Sequence, residues 1–191
     1  MKKPVPSIDM LKQVLKFRTN KNTTPFDRLY SAESRETIDF DVYLPTKGFN
    51  LQRPFVWTLA QKQQLVISIL KETPIPTIAV IRYKESTSSD SVYQVIDGKQ
   101  RVGAYIDYCD GRFSIPIGDH EYFMDELPRE MRWAIQNYTF SGDMAYSYGS
   151  EGTDKDYISD DDKIRWFNQR NFAGTEQEEK HIAKLAAALV H

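Results

Sequence analysis

Residues 92 to 105 read VYQVIDGKQRVGAY, and this stretch decides how the chain folds. A run of β-branched and aromatic residues stops at Asp97 and Gly98, and a run compatible with a helix starts at Lys99. The pattern predicts a strand, a tight turn in which Gly98 takes a positive φ, and a helix from about residue 99 to 109. Because the first N–H groups and the positive dipole end of such a helix attract anions, the turn is a candidate phosphate site.

The side chains around this turn suit the same ligand. Arg101 can bind two phosphate oxygens at once, and Lys99 supplies a point charge. Asp97 can hold Mg²⁺ or orient a water molecule. An ordinary strand-to-helix turn with solvated charges explains the same residues, since short glycine motifs often occur by chance.

Short strands and helices alternate in the N-terminal half of the chain. Alternating apolar residues predict a half-buried strand over residues 37–43. Thr58 and Gln61 predict a capping box, which starts a helix whose apolar stripe includes Leu59. A pair of prolines ends that helix, and the next strand is expected at residues 77–83.

Three further helices are predicted in the C-terminal half. Pro128 opens the first, and the acidic residues after Ser159 favour the start of the second. Thr175 begins another capping box, which starts a final helix with Ala186 among the residues that face the body of the protein. The segment TFSGDMAYSY, residues 139–148, is either a strand or an ordered loop.

Length and composition indicate a soluble globular protein. The chain has 191 residues, of which 40% are hydrophobic and 27% charged, and no apolar segment is long enough to cross a bilayer. Its single cysteine, Cys109, fits a reducing cytoplasm and is expected to be a buried helix residue, not a nucleophile. A net charge of −2 argues against a protein that coats nucleic acid regardless of sequence.

Charge divides the chain into two predicted parts. Residues 1–35 form a basic N-terminal segment, with seven basic and two acidic residues in its first 28 positions. This segment includes a polar linker around residues 19–24 and could contact a phosphodiester backbone. Residues 36–191 form the predicted domain, which includes the C-terminal helices.

Several motifs together resemble a known family. Residues 51–83, LQRPFVWTLAQKQQLVISILKETPIPTIAVIRY, contain a Gln-Arg-x-x-x-Trp element, and an Asp-Gly-x-Gln-Arg element follows at residues 97–101. Residues 166–181, WFNQRNFAGTEQEEKH, place a helix that ends in an Asn before a Gly turn and another helix. These elements, which cover most of residues 36–185, resemble the N-terminal domain of GmrSD-type modification-dependent restriction proteins, a branch of the ParB/sulfiredoxin-like superfamily.

The resemblance implies a fold and an activity. The fold would be α+β, a small mixed sheet packed with helices and followed by a helical C-terminal part. In the family the Asp-Gly-Gln-Gln-Arg loop is associated with nucleoside triphosphate binding and hydrolysis, and the domain regulates or targets DNA cleavage. Asp97, Gln100 and Arg101 would then be catalytic, with Mg²⁺ on Asp97. Lys99 replaces the usual first Gln, which is compatible with binding but leaves hydrolysis open.

Eleven residues make up the predicted site. Gln52 and Arg53 would bring an amide and a guanidinium to it, and Trp57 offers a flat face for a base, although a lone Trp more often fills a core. A second turn at Asn171 could present N–H groups, but a helix cap alone accounts for its residue types. The predicted nucleotide- or phosphate-binding residues are Gln52, Arg53, Trp57, Gly98, Lys99, Arg101, Asn171, Gly174 and Thr175, in addition to the catalytic Asp97 and Gln100.

Three functions remain open from the sequence. The first is a Mg²⁺-dependent nucleoside triphosphatase or nucleotide sensor that acts in DNA modification, restriction or defence. The second is a DNA-binding or partner-binding module without catalysis, and the third is a stand-alone ParB-type nuclease. The chain has no P-loop sequence, and its three histidines are too scattered for a zinc or histidine-metal nuclease site. DNA cleavage is therefore expected to need a nuclease-bearing partner chain.

Overall fold

A computed structural model describes residues 17–26, 29–30, 35, 37–84, 90–149, 156–171 and 179–189, with the backbone alone at residues 179–182. The strands of this part are β1 (Thr19–Thr23), β2 (Ile38–Asp39), β3 (Tyr43–Leu44), β4 (Phe49–Asn50), β5 (Ile78–Lys84), β6 (Ser91–Asp97), β7 (Ile115–Ile117), β8 (His120–Tyr122) and β9 (Gly142–Tyr148). The helices are α1 (Leu59–Leu70), α2 (Lys99–Cys109), α3 (Arg129–Gln136), α4 (Asp160–Asn171) and α5 (Glu179–Ala188), with a 3-10 turn at Met124–Glu126.

A mixed five-stranded sheet with the order β1-β9-β5-β6-β2 lies at the centre of the fold. Strand β5 pairs antiparallel with β6 and parallel with β9, while β1 pairs antiparallel with β9 and β2 parallel with β6. Strands β3 and β4 form one small hairpin, and β7 and β8 form another. The predicted α+β class is confirmed.

Each face of the sheet packs against its own helices. Ile78 and Val80 of β5 join a core with α1, α2 and α3, which we call the α1–α3 core. Ala79 and Ile81 point the other way and join a core with α4, α5 and the β3–β4 hairpin, the α4–α5 core. This alternation along β5 explains why its sequence is apolar at consecutive positions, since both faces of the strand are buried.

The local predictions around the two central helices are confirmed. Strand β6 ends at Asp97, Gly98 has a φ of +109°, and α2 starts at Lys99. At α1 the capping box is complete, because the Thr58 hydroxyl accepts from the Gln61 N–H and the Gln61 amide oxygen accepts from the Thr58 N–H. Short-range hydrogen bonding accounts for the start of α1, whereas the positive φ of Gly98 accounts for the turn into α2.

The C-terminal predictions can be assessed only in part. Helix α3 follows Pro128, and the Ser159 hydroxyl accepts from the Asp162 N–H near the start of α4. Of the two alternatives for residues 139–148, the strand is correct, since β9 spans Gly142–Tyr148. The predicted capping box at Thr175 lies outside the described residues.

The strand predicted over residues 37–43 is wrong beyond Asp39. One carboxylate oxygen of Asp39 accepts from the N–H groups of Asp41 and Val42, at 3.0 and 2.8 Å, which closes a local turn. Val42 then adopts a φ of +51° and enters the α4–α5 core, whereas Phe40 packs against the α1–α3 core. The chain crosses from one face of the sheet to the other at this turn.

Three smaller predictions also need correction. The polar linker expected at residues 19–24 contains an edge strand, β1, whose polar side chains are tolerated because it is paired on one side only. Leu59 is 54% exposed and Ala186 is also exposed, so both lie off the apolar stripes predicted for their helices.

The predicted boundary at residue 35 stays a prediction. None of the helices in the described part combines the length and apolarity that a membrane span requires.

Candidate functional site

One cavity brings together the predicted site residues that lie in the described part of the chain. It has a volume of about 410 Å³ and lies where β6 ends, where α2 begins, where the chain enters β5, and where α4 ends. Gly174 and Thr175 lie outside the described residues. The predicted residues that line the cavity are Gln52, Arg53, Trp57, Asp97, Gly98, Lys99, Gln100, Arg101 and Asn171, and the residues that were not predicted are Pro76, Thr77, Phe167 and Arg170.

Gly98 is required by both the backbone and the space around it. Its φ of +109° is one that L-amino acids rarely adopt. A Cβ atom placed on Gly98 would lie 2.4 Å from Cγ2 of Ile78, which is fully buried. Among the described residues, no side chain caps the start of α2, so the first-turn N–H groups have no side-chain acceptor from that part of the chain.

Asp97 lies between two arginines. Arg101 Nη2 donates to Asp97 Oδ2 at 3.1 Å and to the Thr77 carbonyl oxygen at 3.3 Å. Arg170 Nε lies 3.4 Å from the same carboxylate oxygen, at ion-pair distance but without hydrogen-bond geometry. The strand end, the start of α2 and the end of α4 are therefore linked through one carboxylate.

Arg170 is a charged cavity residue that the sequence did not single out. Its guanidinium donates to the Thr77 carbonyl and hydroxyl oxygens and pairs with Asp143 at 3.3 Å. The buried Nε atoms of Arg101 and Arg170 have no hydrogen-bond partner within the described part of the chain. Two guanidinium groups thus flank the cavity, each with a buried N–H group that is not hydrogen-bonded there.

Helix α4 ends at Asn171, as the family resemblance predicted, and this end lies at the cavity. Its last residue, Asn171, donates from Nδ2 to the Phe167 carbonyl oxygen at 2.8 Å. This bond holds the Asn171 amide against the last turn of its own helix. Its position at the cavity adds an amide to the wall.

Gln100, predicted to be catalytic, is held in structural hydrogen bonds. Its Oε1 accepts from the N–H groups of Val56 and Trp57, at 2.9 and 3.1 Å, and its Nε2 donates to the Pro54 carbonyl at 3.2 Å. These contacts are those of a residue that positions the loop before α1. They place the Trp57 ring, which is half-buried, both against the α1–α3 core and at the cavity wall.

Gln52 anchors the other end of the same loop. It is 9% exposed, and its Nε2 donates to the carbonyl oxygens of Val95 and Ile96, both at 2.7 Å. Together, Gln52 and Gln100 fix the loop against β6 and α2, and Arg53 is held between these two anchor points.

Lys99 makes an ion pair that the sequence did not predict. Its Nζ lies 2.7 Å from Asp41 Oδ1, and the two side chains are 12% and 63% exposed. Asp41 belongs to the turn after β2, where the predicted strand breaks. A phosphate group in the cavity would compete with this exposed carboxylate for the lysine charge.

The charges of the cavity favour an anion. Arg53, Lys99, Arg101 and Arg170 line it, against Asp97 as the acid among the described lining residues. Asp41 and Asp143, which do not line it, pair with Lys99 and Arg170, so the excess of positive charge is small. A search of the described residues finds no cluster of three or more His, Cys, Asp or Glu side chains that could hold a metal ion. Nucleotide-bound Mg²⁺ usually takes one or two carboxylates and completes its shell with phosphates and waters. Oδ2 of Asp97 faces the arginines, so its other oxygen, Oδ1, can bind a metal ion. The residues therefore fit a Mg²⁺ ion that arrives bound to a nucleotide.

Cys109 lies at the opposite end of α2 from the cavity. Burial raises the pKa of its thiol to about 11, so the reactive thiolate is scarce at neutral pH. Cys109 lies in a helix, as predicted, but it is only partly buried instead of fully buried.

A family model described as the N-terminal domain of GmrSD restriction endonucleases matches residues 28–190. The chain belongs to this family. No curated protein and no solved structure matches the chain. The GmrSD membership confirms the predicted resemblance and connects the protein with DNA restriction, while the relationship to ParB and sulfiredoxin folds stays a prediction.

Proposed function

We propose that this GmrSD-type domain binds a nucleoside triphosphate in the cavity at Asp97–Arg101 and hydrolyses or senses it during DNA restriction. The observation that carries the proposal is the placement of two arginines, Arg101 and Arg170, beside the uncapped start of α2. Guanidinium groups and helix N–H groups are the donors that proteins use for phosphate. Trp57 provides a flat surface for the base at the wall of the same cavity.

The proposed roles follow from the contacts of each side chain. Arg101 and Arg170 bind and orient the phosphates, and Gly98 lets phosphate oxygens approach the backbone. Gln52 and Gln100 position the loop that carries Arg53 and Trp57. Mg²⁺ bound with the nucleotide would be held by Asp97 and would neutralise charge on the phosphates.

Asp97 can also act on water during hydrolysis. Asp97 accepts a hydrogen bond from Arg101 and lies at ion-pair distance from Arg170, so its carboxylate has a fixed orientation. Where no metal ion occupies its second oxygen, that oxygen can accept a hydrogen bond from an attacking water molecule. The Asp97→Asn variant would keep the shape of the side chain and remove its charge. We expect it to abolish phosphate release while nucleotide binding persists.

DNA cleavage would lie in a nuclease outside this domain, either in a partner chain or in a further domain. The matched family is described as an N-terminal domain of restriction endonucleases, which associates this domain with a nuclease. The protein would act in the cytoplasm, where restriction meets incoming DNA. In this scheme the nucleotide state of the cavity shifts the conformation that the nuclease recognises.

The test is a thermal-shift and calorimetric panel of the four ribonucleoside triphosphates, with and without Mg²⁺. A ligand at one hundred times its Kd should stabilise the fold by about 2.7 kcal/mol. Arg101→Ala should lower the affinity by at least tenfold, because it removes charge-assisted bonds worth about 1.5–3 kcal/mol. Arg129→Ala, on the exposed start of α3, removes the same charge away from the cavity and should change nothing.

Two results would reject the nucleotide assignment. The first is an unchanged triphosphate affinity in folded Arg101→Ala protein. The second is a wild-type protein that ignores all four nucleotides but is stabilised by duplex DNA in a salt-sensitive way, which would favour a DNA-binding module.

A further inference from the structure

One face of the sheet carries aromatic and basic side chains at the end remote from the cavity. Arg82 of β5 lies in register with Tyr146 of β9 on one side and with Tyr93 of β6 on the other. The next row along the same face joins Tyr148 to Lys84. These side chains share the face of the α1–α3 core, because Val80 precedes Arg82 by two residues on the strand. We call this surface the open sheet face.

The aromatic rings of the open sheet face are partly accessible and ordered relative to one another. Tyr148 is 46% exposed, and the rings of Tyr146 and Tyr148 lie 6.5 Å apart with an angle of 6° between their planes. The Arg82 guanidinium, which is exposed, lies 5.7 Å from the centre of the Tyr93 ring. Such rings offer flat surfaces on which a planar ligand can stack.

The positive charges beside these rings form no ion pair within the described residues, although Asp156 and Asp162 line the adjoining groove and Asp162 pairs with Arg165. Arg82 and Lys84 form no ion pair within the described part of the chain. Arg18 lies just before β1, and the pair Thr19 and Ala145 is the first one between β1 and β9. Arg18 also forms no ion pair within the described part of the chain. Arg18, Arg82 and Lys84 thus lie next to tyrosines that belong to neighbouring strands.

A groove runs along the edge of this surface. Its volume is about 600 Å³, within the range of ordinary ligand sites. Arg18 and Asn20 offer donors in it, and Asp156 offers an acceptor that can pair with the amino groups of bases. The residues that line the groove are Phe17, Arg18, Asn20, Tyr146, Tyr148, Asp156, Tyr157 and Asp162.

We propose that the open sheet face binds single-stranded DNA, with bases stacked on Tyr146 and Tyr148 and phosphates paired with Arg18, Arg82 and Lys84. Sheet surfaces that bind single strands combine aromatic platforms with a positive track for the backbone. Paired bases hide their flat faces inside the duplex, so this surface selects unpaired DNA. The site stands apart from the proposed nucleotide cavity, which lies at the other ends of β5 and β6.

The experiment measures fluorescence anisotropy of a labelled oligothymidine of about 12 nucleotides, a length that suits such platforms. Tyr148→Ala should weaken binding by about fivefold or more, because one stacked base is worth about 1–3 kcal/mol. Tyr148→Phe should bind nearly as well as the wild type, since the flat ring remains. Arg82→Ala should weaken binding and reduce the slope of log affinity against log salt by about 0.7.

Matched controls separate this site from general effects. Tyr43→Ala removes a tyrosine that is 54% exposed on β3, and Arg129→Ala removes an exposed charge on α3. Both variants should bind the oligonucleotide like the wild type. Arg101→Ala should also retain oligonucleotide binding, so failure of the nucleotide proposal and failure of this one are distinguishable.

Three results would overturn the proposal. One is the absence of oligonucleotide binding by the wild type, and another is an equal loss in the Tyr43→Ala and Tyr148→Ala variants. The third is tighter binding of duplex DNA, or of a single-stranded RNA of the same length, than of the single-stranded DNA. Circular dichroism confirms in each case that the variant is folded.

Discussion

Replacing Gly98 by alanine should destabilise the fold by about 2–5 kcal/mol, and the cost has two separable parts. An L-residue forced to a positive φ costs about 1–2 kcal/mol. The new Cβ would lie 2.4 Å from Ile78 Cγ2 and 2.9 Å from its Cβ. Because Ile78 is fully buried in the α1–α3 core, its displacement adds about 1–3 kcal/mol of overpacking.

Substitutions at two other glycines separate the backbone cost from the overpacking cost. Gly111 has a φ of +69° and no neighbouring atom within 4 Å of the position that a Cβ would take, so Gly111→Ala should show the backbone cost alone. Gly103 lies within α2, where its Cβ would meet Phe55 Cε2 at 2.8 Å. Since Phe55 is only partly buried and alanine favours a helix, Gly103→Ala should cost less than Gly98→Ala.

Urea denaturation followed by tryptophan fluorescence measures all three changes in one assay. The reasoning is refuted if Gly98→Ala costs no more than Gly111→Ala, because the collision with Ile78 would then be absent. Calorimetry on the same proteins should show a loss of triphosphate affinity in Gly98→Ala alone among the three, since only that turn faces the cavity.

Three further predictions concern single side chains. Arg170→Ala should lower triphosphate affinity by at least tenfold, with Arg170→Lys between it and the wild type, and equal calorimetric affinities would contradict the two-arginine site. Gln100→Glu keeps the oxygen that accepts from the Val56 and Trp57 N–H groups but places a charged oxygen against the Pro54 carbonyl, so both the melting temperature and the triphosphate affinity should fall; an unchanged affinity would place Gln100 outside the phosphate environment. Burial raises the pKa of the Cys109 thiol from its ordinary 9.0 to about 11, so folded protein should react slowly with iodoacetamide and urea-unfolded protein quickly. Because the pKa is higher in the folded state, this thiol stabilises the fold fully below about pH 9 and loses that effect as pH rises through about 11, which denaturation curves at increasing pH can follow.

Features fixed by local chemistry could be predicted from the sequence. The turn at Gly98, the limits of α2 and the Thr58–Gln61 capping box depend on residues within a few positions of one another. The motif resemblance then supplied the partners that lie far apart in sequence, such as Arg53 and Arg101, which line one cavity.

Features fixed by long-range packing could not be predicted from the sequence. Asp41 carries no signal that it pairs with Lys99, since that contact exists only after β2 ends in a turn. Arg170 is one of many arginines in the sequence, and only the packing of α4 against the sheet places it beside Asp97 and Thr77. Leu59 has a helical spacing that suits a stripe, but no element of the described part of the chain covers it.

The position of β1 has a consequence for how the chain folds as it is synthesised. The Thr23 hydroxyl donates to the Gly142 carbonyl, a partner 119 residues later in the chain. At about 5–20 residues per second, the ribosome needs roughly 6–24 s to supply that partner, whereas the β5–β6 hairpin can close within microseconds. The polar sequence of β1, TNKNT, suits a segment that spends this interval in water, and the apolar IAVI of β5 suits a strand whose partner follows at once. Apolar substitutions in β1 should therefore cause aggregation during synthesis more than instability of the finished protein.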